Sequence, residues 1–255
     1  MNRPAAATLF TAVFLFLLQQ SHLSAAEPEL VDIRSVDPSI MVELRYATTR
    51  NIAQRAIYPR NMPALIRPHV AAQLAQAQAL LRLGGHGLKI WDAYRPQNAQ
   101  EQLWKVTPNN DYVADPVGVG SLHTWGVAVD ATLVDRQGKE VSMPTDFDDF
   151  TPAAMLRYTG GDASVRRHLY SLQAAMNSAG FYGTRTEWWH FISKQWTFYK
   201  AIPALPGVAK AAAAPPPARA IPVVPERAGA VVPITRNSPP PNEDIPAALP
   251  LHRSR

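Results

Sequence analysis

Cysteine is absent from all 255 residues. The chain therefore has no disulfides, no thiolate ligand for a metal and no cysteine to carry a lipid, so its stability must come from its core alone. A functional excess of charge is also missing. The formal net charge of +5 falls away on partition: residues 201–255 hold six Lys/Arg against three Asp/Glu, Arg3 lies in an N-terminal leader, and residues 4–200 keep 18 basic and 17 acidic side chains. A nearly neutral body lacks the clustered Lys/Arg of a nucleic-acid-binding face, and no nucleic-acid partner is expected. No apolar run approaches the ~20 residues of a membrane span, and no internal repeat is found.

What is present at the two ends is informative. Arg3 is followed by an apolar stretch from Ala5 to Leu18 and then by Ser24-Ala25-Ala26, a small-x-small pattern. This predicts a cleaved signal peptide over residues 1–26, hence an exported protein with no membrane span after cleavage, periplasmic in a cell with two membranes. From Ala201 onward the chain turns to alanine, valine and proline, with 13 of the 24 prolines. That density opposes helices and sheet ladders and predicts a disordered Pro/Ala-rich tail over residues 201–255. The tail is weakly basic and reads first as a solvated linker, with contact to anionic cell-wall polymer such as peptidoglycan as the alternative.

Residues 27–200 have the size of one domain with one core. Pro63 to Leu83 has a helical pattern closed by Gly84-Gly85, and Leu88 to Trp91 reads as a strand. Pro96 fits a first helical position ahead of Gln97 to Val106. Val127 to Val134 is a β-branched strand running toward a turn at Gly138, Val165 to Ser178 is a second long helix, and Phe181 to Phe191 returns as a strand or hairpin. Together these elements predict an α+β domain, a central antiparallel sheet with flanking helices.

Two short segments carry the chemistry. Ser121-Leu122-His123-Thr124-Trp125-Gly126-Val127-Ala128-Val129-Asp130 contains a histidine and an aspartate seven positions apart, both zinc-binding types. Extended chain would separate their backbones by ~23 Å, so the chain must bend between them, and Gly126 supplies the permissive position. Glu187-Trp188-Trp189-His190 adds a third nitrogen ligand and a carboxylate. Two His and one carboxylate leave a fourth position on zinc for a water whose proton a neighbouring carboxylate can take, and Glu187 is placed for that role. Glu187 and His190, three apart, share a site only at a strand end, a bulge or a helical turn.

The pattern SxHxxGxAxD followed by ExWH resembles the D-Ala-D-Ala metallopeptidase family, whose zinc fold is shared with lysostaphin-type peptidases and hedgehog domains. Five fixed positions match by chance roughly once in some millions of windows. Leu44-Arg45-Tyr46-Ala47-Thr48 with Asn51 and Tyr58, Asp92-Ala93-Tyr94-Arg95-Pro96 and Phe147-Asp148 are similar to the VanX-type D-alanyl-D-alanine dipeptidases. The similarity spans about Val42 to Trp196; Ile52 after Asn51, where an aromatic or leucine is more usual, and the tail depart from it. The resemblance implies one Zn2+ held by His123, Asp130 and His190, with Glu187 as general base and later acid. It further implies that Arg95 steadies the developing oxyanion, that Ser121 and Asp148 hold the free amino end of a small D-amino-acid dipeptide, and that Tyr58 lines the same pocket.

Plainer readings stand beside these. His69, His86 and His168 read as structural histidines, Arg95 as a partner of Asp92, Glu187 as a partner of Arg185, Ser121 as a turn residue, and the aromatics from Trp188 to Tyr199 as packing. The leading expectation is an exported zinc dipeptidase acting in cell-wall turnover. A carboxypeptidase or endopeptidase on peptidoglycan stem peptides needs an open cleft, and a non-catalytic zinc module has no need of Glu187.

Overall fold

The computed structural model describes residues 29–202. The signal peptide expected over residues 1–26 and the tail beyond residue 202 lie outside the described residues. Strand β1 (Val31–Asp32) is followed by one helical turn, α1 (Ile33–Val36), then β2 (Met41–Val42), β3 (Leu65–Ile66), helix α2 (Pro68–Leu83), β4 (Gly87–Asp92) and helix α3 (Gln97–Val106). After these come β5 (Ala128–Val134), helix α4 (Ala163–Ser178), β6 (Phe181–Gly183) and β7 (His190–Ser193). The order β2-β4-β5-β7-β6 makes one five-stranded sheet, while β1 and β3 form a small ribbon. The α+β expectation holds. The sheet is antiparallel except at its edge, where β2 runs parallel to β4.

Every residue of β4 and β5 is buried, so the centre of the sheet is covered on both faces. Helices α2 and α4 pack against each other and against the sheet. They contribute Val70, Leu74, Ala77 and Leu81 from one and Val165, Leu169, Leu172 and Met176 from the other, at helical spacing. Asp162 caps α4 by accepting from the backbone N–H of Ser164 and Val165. The core also holds an aromatic group in which Trp91, Phe147, Trp188 and Trp189 meet mostly edge to face; packing is the use of Trp188, Trp189 and Phe191, whereas Phe198 is 83% exposed and takes no part in the core.

Three sequence expectations need correction. The helix expected from Pro63 begins at Pro68, because the residue before a proline is driven to extended backbone and Arg67 sits at ψ 143°. Pro96 precedes the first turn of α3 as its cap, with ψ 147°, instead of opening it. The packed chain also runs past Lys200: Ile202 is buried and its N–H donates to the Thr124 carbonyl. No helix among the described residues is long and apolar enough to cross a membrane.

Gly126 ends a short 3-10 turn, Leu122–Trp125, in the left-handed conformation at φ 67°, ψ 29°. A Cβ placed there would stand 2.7 Å from Leu30 Cδ2. Gly126→Ala is therefore expected to lower unfolding stability by at least ~1 kcal/mol, the cost of left-handed backbone for an L-residue before any clash. Urea unfolding of the parent and the variant measures it, and equal midpoints would show that the turn is not held as described.

Candidate metal centre and active site

The sheet itself builds the first half of the site. Residues directly opposite on neighbouring strands bring their side chains within contact range, and Asp130 on β5 faces His190 on β7 on one side and Asp92 on β4 on the other. The Asp92 pairing depends on a bulge: Ile90 pairs with Ala131 and Asp92 with Asp130, so Trp91 is the extra residue that re-aims the end of β4. One row across the sheet thus reads Asp92, Asp130, His190.

His123 arrives from the 3-10 turn that Gly126 closes, so the bend that the seven-residue spacing demands is present. Its Nδ1 lies 2.8 Å from the Ala93 carbonyl. Only a protonated Nδ1 can donate to that oxygen, which leaves the Nε2 lone pair directed into the site. His123 Nε2 is 3.1 Å from His190 Nδ1 and 3.4 Å from Asp130 Oδ1, and the latter two atoms are 2.9 Å apart. Tetrahedral bonds of about 2.0–2.1 Å set ligand atoms roughly 3.3 Å apart, so this triangle of lone pairs has the dimensions of a metal-binding face. His123, Asp130 and His190 also form the one group of three such side chains among the described residues that could hold a metal ion. Burial opposes ionisation of Asp130, but the two imidazoles beside it outweigh that and hold its carboxyl well below the usual carboxylate range, as the anion a metal requires. Burial lowers the proton affinity of His190, which favours the neutral form a metal needs.

Glu187 lies in the turn that feeds β7, where the His190 N–H donates to the Glu187 carbonyl at 3.3 Å. That turn decides between the geometries that spacing alone left open. It directs the Glu187 side chain inward, with Oε2 3.9 Å from His190 Nδ1 and only 13% of the side chain exposed. Burial pushes its carboxyl well above the usual carboxylate range; the Asp130 and Asp148 charges add to the rise and Arg95 opposes it.

Arg95 is buried and its guanidinium makes three hydrogen bonds: Nε and Nη2 donate to Asp92 Oδ2 at 2.9 and 2.7 Å, and Nη1 to Gln100 Oε1 at 2.8 Å. The pairing with Asp92 is therefore real. It also aims the guanidinium, since Nη2 reaches to 3.7 Å from Asp130 Oδ2 and the group lies over the Tyr46 ring. The Tyr58 hydroxyl donates to the other oxygen of Asp92 at 2.7 Å, so it backs Arg95. Ser121 is buried at the head of the His123 turn, its hydroxyl accepting from the His123 N–H at 3.3 Å.

Asp148 has φ 57° and is buried, accepting from the Ile52 N–H at 2.9 Å and from the Tyr46 hydroxyl at 3.2 Å. Asn51 shapes the Ile52 loop, its Nδ2 donating to the carbonyls of Arg45, Thr48 and Arg55. Burial raises the Asp148 carboxyl to about 7, and the Asp130 charge adds to the rise.

Sequence reasoning passed over Gln100 and the Ala93 carbonyl. Gln100 is fully buried and bridges Arg95 to the Ala114 carbonyl; its place on the inner face of α3 beside Ala99 and Leu103 was the available signal. His69, His86 and His168 stay outside the cluster, with His69 stacked on Tyr199 and the other two edge to face.

The sequence model of the D-Ala-D-Ala dipeptidase family matches residues 26–206. The chain belongs to this family of metallopeptidases. The D-alanyl-D-alanine dipeptidase of Escherichia coli K12 is 38% identical over 174 residues, covering 68% of this chain and 89% of that protein. Dipeptidases of the same description from Enterococcus faecium and Enterococcus faecalis are 25% and 27% identical, over 84% and 83% of their lengths. The donor set suits the metal that family membership implies: two imidazoles and one carboxylate with their lone pairs converging, and a carboxylic acid beside them that is not part of the triangle.

Proposed function

We propose that the protein is an exported dipeptidase that hydrolyses D-alanyl-D-alanine with one zinc ion held by His123, Asp130 and His190, in the turnover of cell-wall material. The observation that carries this reading is the triangle of three donor atoms with Glu187 3.9 Å to one side. A purely structural metal site has no use for such a carboxylate.

When bound, the zinc ion acidifies a water molecule and polarises the scissile carbonyl. Glu187 accepts the proton of the attacking water and returns it to the departing amine, a role its raised proton affinity suits. Arg95, aimed by Asp92, Tyr58 and Gln100, supports the negative charge that develops on the carbonyl oxygen. Asp148 receives the substrate's ammonium group, and Ser121 holds the turn that carries His123. A buried anion at the amino end favours a free dipeptide over an internal peptide segment, because a substrate without the ammonium leaves that anion unpaired.

The pH dependence follows from Asp148. An ammonium ion binds the ionised carboxylate, which exists above about 7, while the substrate amine keeps its proton up to roughly 8. kcat/KM for D-Ala-D-Ala is expected to fall about tenfold per unit as pH drops below the Asp148 value. Asp148→Asn should raise KM and make this acid limb shallower, the remaining fall belonging to Glu187, which must also be ionised to accept a proton, and an unchanged KM in the variant would remove Asp148 from the amino-end site.

The substrate is tested by following amino-acid release from D-Ala-D-Ala, L-Ala-L-Ala and a stem pentapeptide. Cleavage of D-Ala-D-Ala alone supports the dipeptidase. Release of D-alanine from the pentapeptide would make the protein a carboxypeptidase, and zinc binding without any cleavage would make it a binding module.

A further inference from the structure

Five consecutive carbonyls, from Leu122 to Gly126, surround the turn that presents His123, and each has a donor. The Leu122 oxygen accepts from Gly126 and Val127 and the His123 oxygen from Gly126 and Arg95, all backbone N–H groups. The Thr124 oxygen accepts from the Ile202 N–H at 3.2 Å. The last two belong to one residue distant in sequence: Arg67 donates its backbone N–H to the Gly126 oxygen at 3.1 Å and its Nε to the Trp125 oxygen at 2.7 Å.

The same guanidinium reaches further. Nη2 donates to the Lys200 carbonyl at 2.8 Å and lies 3.5 Å from Glu29 Oε1, and the group sits over the Tyr199 ring, 4.6 Å from its centroid. Four stretches of chain meet there: residues 29–30, Arg67, the His123 turn and the crossing segment from Tyr199 to Ile202. Leu30, Arg67 and Ile202 all crowd Gly126.

We infer that Arg67 is a positioning residue of the metal centre, holding the His123 turn closed through the Trp125 carbonyl and tying that turn to the crossing segment at Lys200. The inference rests on the reading of His123 as a metal ligand. Gly126 is the freest backbone position in the turn, so this geometry needs an outside tether. The His123 ring has its own tether at Ala93, but the ring follows its Cα, and a shift of the turn carries Nε2 away from Asp130 and His190. A planar guanidinium can donate in two fixed directions at once, to the oxygens of Trp125 and Lys200; a lysine ammonium at the end of a flexible stem does not reproduce that fork.

The test measures zinc affinity of the full chain by competition with a chromophoric chelator, alongside thermal melting of the metal-free protein. The proteins are the parent, Arg67→Gln, Arg67→Lys and His123→Ala. Arg67→Gln is expected to weaken zinc binding about tenfold, the low end of the range for losing a direct partner of a ligand, because Arg67 acts through the turn and not on His123 itself, with Arg67→Lys in between. A residue that only stabilises the fold would lower the melting temperature and leave zinc affinity alone. Affinity within about twofold of the parent in both Arg67 variants would overturn the inference. If Arg67→Gln fails to fold, Arg67→Lys decides by the same criterion. His123→Ala separates the two claims: loss of zinc there with parent-like Arg67 variants ends the inference alone, whereas parent-like zinc binding by His123→Ala ends the ligand reading and the inference with it.

Discussion

Glu187→Gln should retain bound zinc and lose between about 10² and 10⁴ of kcat for D-Ala-D-Ala, the range contributed by a well-placed general acid–base group. The amide keeps the size of the side chain and removes the proton-accepting oxygen pair. Glu187 stands outside the donor triangle, so metal affinity should hardly change. Its proton affinity is raised by burial and by two neighbouring carboxylates, which suits the proposed role of accepting and then releasing a proton. Substitution should therefore act on kcat much more than on KM. Parallel kinetics and zinc content on one preparation check this, and a loss below about tenfold in kcat would take the base role away from Glu187.

Asp130→Ala should have the larger effect on the metal itself. Asp130 lies between the two histidines, 2.9 Å from His190 Nδ1 and 3.4 Å from His123 Nε2, and is almost fully buried. Its carboxylate is the one negative charge in the triangle, and without it two neutral imidazoles face a dication alone. The affinity loss should exceed the roughly 10- to 100-fold that follows removal of an outer partner. A second consequence is thermal. Metal that binds only the folded chain stabilises it by about 2.7 kcal/mol at a hundredfold excess over Kd, so zinc should raise the melting temperature of the parent and leave that of Asp130→Ala unchanged. An equal zinc-induced rise in both proteins would place the metal elsewhere.

The parts of this structure legible in the sequence are those set by local pattern. Runs such as Leu88 to Trp91 and Val127 to Val134 mark the two central strands through their apolar and β-branched residues, which are interrupted at Lys89, Asp130 and Thr132 and still fit a strand covered on both faces. The 3-10 turn before β5 was legible through Gly126, since few other residues tolerate its φ. The two-residue edge strand β2 left no pattern to read, and its parallel pairing is a tertiary fact. Pro63 drew the start of α2 too early because an alanine- and leucine-rich run looks helical whichever proline opens it; Pro68 is the one whose neighbour is extended.

The site shows the same division. Residue types made His123, Asp130, Glu187 and His190 candidates, the family-like double pattern singled them out, and the fold brings them together. The bulge at Trp91, which sets Asp92 opposite Asp130, depends on register between strands some forty residues apart and has no local signature. The Gln100 bridge to Arg95 and the Arg67 tether to the His123 turn are likewise contacts between separate segments. Tyr58 carried a family-like position but no indication that its hydroxyl turns to Asp92.

The central claim is that one zinc ion at His123, Asp130 and His190 makes this protein a dipeptidase. Its most direct test is a titration of the metal-free full chain with zinc, recording bound metal and D-Ala-D-Ala hydrolysis together. Activity should be absent at the start, rise in proportion to bound zinc and break at one equivalent per chain. Undiminished hydrolysis by the metal-free chain, or zinc binding at that stoichiometry with no hydrolysis, would contradict the claim.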